Sequence, residues 1–316
     1  RQYDHEVQVR TATPPGDDAA MLAIREASAE GSNGDTREPG QGLAISSGAD
    51  PNWTEASPYD GARAVGLENA TNIAAKGATP LAAVDCLNGG NPEKPDVYGA
   101  FKAIVDGLAD VCSAIDVPVV GGNVSLYNDS VAGPIPPTPT LAMVGTKAGY
   151  VAPPMALSGE GTLLLVGGTD DDPALGGSEL LARLDGSDRF PAIHEDPGAL
   201  IETITDVADF DGALATHDVS HGGLAVTLAE MLTDDAGAEV SVEDAATLFE
   251  EQPGRVVVET TDPDAVRDAF DGIAPVVELG TATTSGTLTI DAGEQSIECD
   301  AADVAALRDV LDAELA

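Results

Sequence analysis

Apolar residues in this chain come in two alternating patterns, and that alternation limits the fold more than any other feature. Runs of strand length at residues 42–46, 80–85, 117–120 and 140–144 are separated by longer stretches of helical periodicity. Over residues 59–75, Ala62, Val65, Ala70 and Ile73 fall on one helical face. Over residues 96–115, Val97, Phe101, Ile104, Val105, Leu108 and Val111 do the same. Pro153, Pro154 and the glycines up to Gly161 interrupt the pattern as a linker would. Alternation then resumes, with strands expected at 162–166, 213–216, 255–259, 275–279 and 287–290. Helices are expected at 178–184, 198–207, 224–232, 264–270 and 302–315. Such a chain is α/β (α+β), with two α/β domains, residues 1–152 and 153–316, each with its own core. The acidic, glycine-rich stretch 30–41 reads as a surface insertion loop.

Charge limits the setting. Fifty-five acidic residues stand against 14 basic ones, a net charge of −41, with lysine only at positions 76, 94, 102 and 147. The acids are scattered among apolar periodic segments rather than massed in a tail, so the chain reads as folded. In molar salt the Debye length falls to about 3 Å and self-repulsion is screened; in dilute buffer the same charge pushes the compact state apart. This pattern reads as a halophilic, cytoplasmic protein. It excludes nucleic acid as a partner, because phosphates call for basic patches that are missing. No apolar run approaches the roughly 18 residues that a membrane span needs. The first residues, RQYDHEVQVR, have no hydrophobic signal segment and no initial Met, so the chain reads as processed, excised or translated as part of something longer. Cys86, Cys112 and Cys299 are odd in number and far apart, and read as small buried hydrophobes.

Four clusters could carry chemistry. In GGNVSLYN, residues 121–128, Gly121 and Gly122 end a strand and let backbone N–H groups approach a phosphate. Asn123 offers a neutral oxygen suited to Mg2+, and Ser125 a hydroxyl; ordinary turn chemistry is the competing reading. Asp85 closes a strand before the turn CLNGGNP, where it could hold a nucleotide or its metal, or merely start an Asx turn. Asp17 and Asp18 in GDDAA could ligate Mg2+ or cap an element. In THDVSHGGLA, His217 and His221 are four apart, yet Gly222 and Gly223 place the helix start after them, which argues against a shared zinc face. Gly222 and Gly223 could instead present N–H groups to an anion at a helix N-terminus, with capping by Asp218 or Ser220 the alternative. P-loop, GxSxG and HExxH motifs are all missing.

Taken together, YDHEVQ (residues 3–8), GDDAA (16–20), DCLNGGNPEKP (85–95), PVVGGNVSLYN (118–128), Pro137-Thr138-Pro139 and HDVSHGGLAVTLAEM (217–231) occur in an order and spacing that resemble one family. It is the second half of the synthetase subunit of phosphoribosylformylglycinamidine synthase. The resemblance implies one aminoimidazole-ribonucleotide-synthetase-like unit: an N-terminal α/β domain that contributes strands to a shared barrel, then a C-terminal α/β domain. It implies ATP-dependent conversion of formylglycinamide ribonucleotide to the amidine, with ATP and Mg2+ as cofactors. Ammonia would come from a glutaminase subunit, and a small subunit would help assembly. Carried over by motif, Asp85 and Gly122 would contact ATP, Asn123 would ligate Mg2+ and Ser125 would contact the substrate.

Two departures matter. The family's catalytic histidines and several metal-binding carboxylates lie in the first half, so no catalytic residue is expected in this one, and the missing half counts among its partners. Gly89 stands where the family has an aromatic residue, which would loosen the loop after Asp85. Two alternatives remain: a stand-alone homodimeric ATP-dependent kinase or synthetase of the same superfamily, favoured by GDDAA, and a non-catalytic, nucleotide-binding structural half.

Overall fold

A computed structural model of the chain describes residues 10–27, 40–169, 172–308 and 310. The YDHEVQ motif, nearly all of the expected 30–41 loop and the end of the last helix lie outside these residues. The first part runs β1 (Thr11–Thr13), β2 (Ala20–Ile24), β3 (Gln41–Gly48), α1 (Pro51–Ala56), α2 (Pro58–Ala74), β4 (Thr79–Asn88), α3 (Pro95–Ala114), β5 (Val119–Ser125), β6 (Asp129–Ser130), β7 (Gly133–Pro134) and β8 (Thr138–Ala148). The second part runs β9 (Thr162–Gly167), α4 (Glu179–Leu184), α5 (Pro197–Ala208), β10 (Ala213–Asp218), α6 (Gly223–Glu230), β11 (Gly237–Val242), α7 (Ala246–Phe249), β12 (Arg255–Thr260), α8 (Pro263–Phe270), β13 (Val276–Thr283), β14 (Thr287–Ala292), β15 (Gln295–Asp300) and α9 (Ala301–Arg308).

The first part forms a six-stranded sheet in the order β1-β2-β3-β8-β4-β5. Its ladders are antiparallel except for the β4–β5 pair, which is parallel because α3 carries the chain back across the sheet. Alternation divides its residues between two faces. Met21, Ala44, Ala83, Leu141 and Met143 point toward α2 and α3 and are fully or almost fully buried. The opposite face carries Ile24, Ile45 and Val84, which are 38%, 37% and 44% exposed. This second face is apolar and open to solvent.

The second part forms a seven-stranded sheet, β10-β12-β9-β13-β11-β14-β15, in which only β11 and β14 run parallel. Its core differs from the expected pair of separate cores. One cluster joins Leu67, Ala70 and Ile73 of α2 to Leu200 and Ile204 of α5 and to Leu164, Val166, Val256 and Val258 of the second sheet. A second cluster lies on the far side of that sheet, where α6 places Leu224 and Leu228 against Leu163, Leu165 and Val257. The reason is that α2 buries residues all round rather than along one stripe, so it packs against both parts of the chain. Among the described residues, no helix is long and apolar enough to cross a membrane.

These cores are built from small aliphatic side chains beneath a strongly acidic surface. We therefore expect cooperative loss of far-UV circular dichroism when the protein is dialysed from molar KCl into low-salt buffer, and its return when salt is restored. Retention of the full signal in dilute buffer would contradict this account of the charge.

Candidate functional site

The structure places the sequence-predicted residues in two groups. The first is at the β4–β5 pair. The expected turn at residues 121–125 is a strand instead: Gly121 to Ser125 continue β5 and pair residue by residue with β4, Asp85 opposite Gly122 and Cys86 opposite Asn123. Parallel pairing overrides the turn propensity of Gly-Gly-Asn. The same register separates the four residues by face. Asp85 shares the helix side with Ala83 and Leu87, where its charge acts on the Cys112 thiol of α3, and Gly122 lies beside it. Asn123 and Ser125 belong to the open face, where the Asn123 amide points at Cys86 Sγ, 3.9 Å away. Partial burial raises the Asp85 pKa above the usual carboxylate value, against the opposing pull of the Asn123 backbone N–H. Asp85 and Asn123 therefore meet through backbone, with side chains on opposite sides of the sheet.

Gly122 shows why this spot must be bare. A Cβ there would overlap Asp85 Oδ1 and lie 2.7 Å from the Asp85 carbonyl oxygen. The loop after Asp85 is not loosened by Gly89. Gly89 donates its N–H to Ser125 O at 2.9 Å, and Asn128 Nδ2 donates to Gly89 O at 3.1 Å and to Ser125 O at 3.0 Å. A Cβ at Gly89 would come within 2.8 Å of the Phe101 ring, which packs directly against the bare glycine. Burial pushes the Cys112 thiol up to about 11, in keeping with an inert packing role.

The second group surrounds a cavity of about 310 Å³ between the two parts of the chain. It brings together Asp17 and Asp18 before β2, Glu68 and Asn72 one turn apart on α2, His217 and Asp218 at the end of β10, and Glu230 of α6. Lys76, just after α2, closes it from beneath: its Nζ lies 2.5 Å from Asp17 Oδ1 and 3.1 Å from Asp18 Oδ2. His217 Nδ1 lies 2.5 Å from Asp18 Oδ1, and its Nε2 lies 3.2 Å from Glu230 Oε2. An imidazole with a carboxylate at each nitrogen donates from both, so it is the cation. Burial pulls the His217 pKa down, but the Asp18 charge and the two hydrogen bonds outweigh it and carry it to about 10. Burial likewise raises Asp18, yet the charges of Lys76 and His217 bring it down to about 2. Burial acts the other way on Asp218 and Glu68: with the Glu68 and Asp18 charges added it lifts Asp218 well above the usual range, and it lifts Glu68 to about 7 despite the hydrogen bond from Asp218. That pair retains a proton at neutral pH.

Gly222 and Gly223 do open α6, with Gly222 at φ +83°, a conformation glycine tolerates. Their N–H groups are already used. Gly222 N–H donates to Glu251 Oε1 at 2.8 Å and Gly223 N–H to Ser220 O at 2.9 Å. Glu251 also receives the Trp53 indole N–H at 3.2 Å and the Glu179 N–H at 2.8 Å. The anion at this helix start is thus the protein's own Glu251, one of the residues that reading the sequence missed. Lys76, Glu68 and Asn72 were missed as well. For Lys76 a signal existed: a lysine between Ala75 and Gly77 at the end of a small-residue helix, in a chain that has only three others. A larger cavity of about 670 Å³ on the second part is lined by His194, but the ring is engaged by Ile273 O and the Asp196 N–H.

At the mouth of the interdomain cavity, His221 Nε2 meets Asp50 Oδ2 at 2.7 Å, and this hydrogen bond raises the His221 pKa above 6.5 despite partial burial. A raised folded-state value stabilises the fold fully below about pH 6.5 and ceases to do so as pH rises through that value. The gap in Tm between wild type and His221→Gln is expected to be widest near pH 6 and to close on the alkaline side. A gap that widens with pH would contradict the pairing.

Comparison with known proteins then places the chain. Residues 16–147 match the family model described as AIR synthase related protein, N-terminal domain, and residues 159–293 the corresponding C-terminal domain. The phosphoribosylformylglycinamidine synthase subunit PurL of Haloarcula marismortui is 65% identical over all of this chain, which spans 44% of that protein's length. The structure of T. maritima PurL complexed with FGAR superposes with a TM-score of 0.67 at 19% identity, over 84% of this chain and 46% of that one. A chain of the HypE–HypF complex superposes with a TM-score of 0.65 at 16% identity, over 90% of this chain and 93% of that one. The two structural likenesses establish the shared fold. The two domain models, consecutive and covering most of the chain, settle the kinship: the chain belongs to the AIR synthase related family, carrying one N-terminal and one C-terminal domain and spanning a little under half the length of its PurL relatives.

Proposed function

We propose that this chain supplies the second half of a phosphoribosylformylglycinamidine synthase synthetase subunit, with domains at residues 1–152 and 153–316. In that reaction ATP phosphorylates the amide oxygen of formylglycinamide ribonucleotide, and glutamine-derived ammonia displaces the phosphate. The observation that carries the reading is the placement of Asn123 and Ser125 on an apolar sheet face left open to solvent, beside the β4–β5 edge. A face like this is completed by another sheet, and the equivalent sheet of the first half is its occupant. That half would bring the catalytic histidines and the remaining carboxylates. Asn123 suits Mg2+ as one neutral oxygen of an incomplete set: among the described residues, the only cluster of three or more His, Cys, Asp or Glu ligand atoms is Asp18, His217 and Asp218. Mg2+, when bound, would supply charge neutralisation at the transferring phosphoryl group. Asp85 and Gly122 would border the nucleotide from the helix side, and Ser125 would reach the substrate. Asp17, Asp18, Gly222 and Gly223, engaged within the fold, take supporting roles. A glutaminase subunit and a small assembly subunit are the expected partners, and the cytoplasm the expected location.

The test is reconstitution in molar KCl with ammonia as donor. The 316-residue chain alone is expected to produce no amidine, and addition of the first half to restore it. Turnover by the isolated chain would sink the half-enzyme reading and favour the second one, a homodimeric ATP-dependent enzyme of the superfamily. That one unit of this fold can make up nearly a whole chain is shown by the HypE–HypF complex chain, 93% of which this chain covers.

A further inference from the structure

Only four residues of this strongly acidic chain are lysine, and two of them are buried at the joint between its two parts. Lys147 contacts the Asp209 carboxylate and the Gly77 carbonyl. Lys76 is entirely inaccessible, and its ammonium lies among four oxygens from three segments. These are Asp17 Oδ1 at 2.5 Å, Asp18 Oδ2 at 3.1 Å, Thr216 O at 3.1 Å and Pro153 O at 3.3 Å. Carboxylates from the first part and carbonyls from the second, converging on one positive charge, make the all-oxygen environment of a hard cation.

We propose that Lys76 is the tethered counter-ion of the interdomain cavity. Its ammonium stands where a divalent cation would bridge Asp17 and Asp18 to the second domain, so the joint closes without a bound metal or metal–nucleotide. Three observations support this. Asp18 has His217 hydrogen-bonded to Oδ1 and the Lys76 charge 3.1 Å from Oδ2, so each of its oxygens already faces a protein cation. His217, the one nitrogen donor in the Asp18–His217–Asp218 cluster, directs both ring nitrogens at carboxylates and has no lone pair to offer. Thr216, beside it, is held by its hydroxyl to Ala75 O at 2.5 Å, which fixes the strand end against the segment that carries Lys76. With Lys76 in place, a divalent cation therefore does not fit between Asp17, Asp18 and the second part. The opposing consideration is that three buried carboxylate oxygens have no hydrogen-bond partner: Asp18 Oδ2, which has only the Lys76 charge beside it, and the pair Glu68 Oε2 and Asp218 Oδ2. A proton shared within that pair removes one of its two charges, and the remaining charge lies beside the His217 cation.

The probe is Mn2+, alone and with ADP, added to crystals of the wild-type protein grown in molar KCl after treatment with EDTA. Anomalous scattering is expected to give no peak inside the cavity. A peak bridging Asp17 and Asp18, or one between Glu68 and Asp218, overturns the proposal. Lys76→Met keeps the length of the side chain and removes its charge. Its Tm is expected to fall below that of wild type and to recover in part with Mn2+, with a Mn2+ peak at the vacated position. A Lys76→Met protein as stable as wild type and indifferent to Mn2+ would also overturn it. Should that variant not fold, the wild-type crystals decide the matter.

Discussion

Replacing Gly122 with alanine in the complete synthetase is expected to lower kcat/KM for ATP about 100-fold, the loss that follows from displacing a reacting group by about an ångström. The cause is local. β4 and β5 run in parallel register with Asp85 directly beside Gly122, and any Cβ at 122 overlaps the Asp85 carboxylate. The backbone there is tied into the ladder, so the carboxylate must swing away from its place beside residue 122, where the proposed ATP contact lies. Gly121→Ala is the control for the fold. Its nearest new neighbour would be Val84 Cγ1 at 3.9 Å, an ordinary contact, so Tm is expected to stay near the wild-type value. Circular dichroism separates the two explanations for any loss at 122. If Gly122→Ala folds and keeps activity within about 3-fold, which is less than 1 kcal/mol, Asp85 and Gly122 do not border the ATP site.

The largest loss of stability outside the cavity is expected at Glu259, where Glu259→Ala should cost about 3 kcal/mol or more. This residue of β12 is fully buried, and its carboxylate takes the Ser158 N–H and hydroxyl at 2.7 Å each and the Glu160 and Gly161 N–H groups at 3.0 Å each. Those donors belong to the segment that leads from the first sheet into β9, so one carboxylate fixes the entry to the second part. Alanine would leave the Gly161 N–H buried and unpaired, at about 1 to 3 kcal/mol, and would remove the hydrogen bonds that the part-buried Ser158 and Glu160 groups make to a charged acceptor. The corresponding drop in Tm is about 5 to 10 °C. Glu259→Gln retains an oxygen that can face the cluster of N–H groups, so it is expected to lie between the two. Equal stability of Glu259→Ala and wild type, followed by thermal unfolding in molar KCl, would show that the segment holds itself.

The longer elements were legible because their signals are local. The periodic stripe over residues 96–115 became α3, and the small-residue segment over 59–75 became α2, each within a residue of expectation at both ends. The strand at 80–85 was found but runs on to Asn88, because β8 continues to pair with it beyond the hydrophobic run. Elements that depend on partners were missed. Residues 121–125 have the composition of a turn and became strand only because β4 offers a matching ladder. β15, with the polar sequence QSIECD, exists through its pairing with β14.

The candidate site divides along the same line. Asp85, Gly122, Asn123 and Ser125 could be named from motif and spacing, since strand ends in α/β chains collect ligand groups. Their division between two faces of the sheet could not, because side-chain direction alternates along a strand and only the register fixes which parity faces the helices. By itself, then, the sequence determined the alternation of strand and helix, the acidic surface and the identity of the motif residues, all of which rest on near neighbours and composition. Tertiary structure alone decided that α2 would be buried on all sides, and that Lys76 and His217 would neutralise Asp17, Asp18 and Glu230. The physical reason is distance along the chain: Asp18 and His217 are 199 residues apart, and charges so far apart in sequence interact only after packing has brought them together and excluded water.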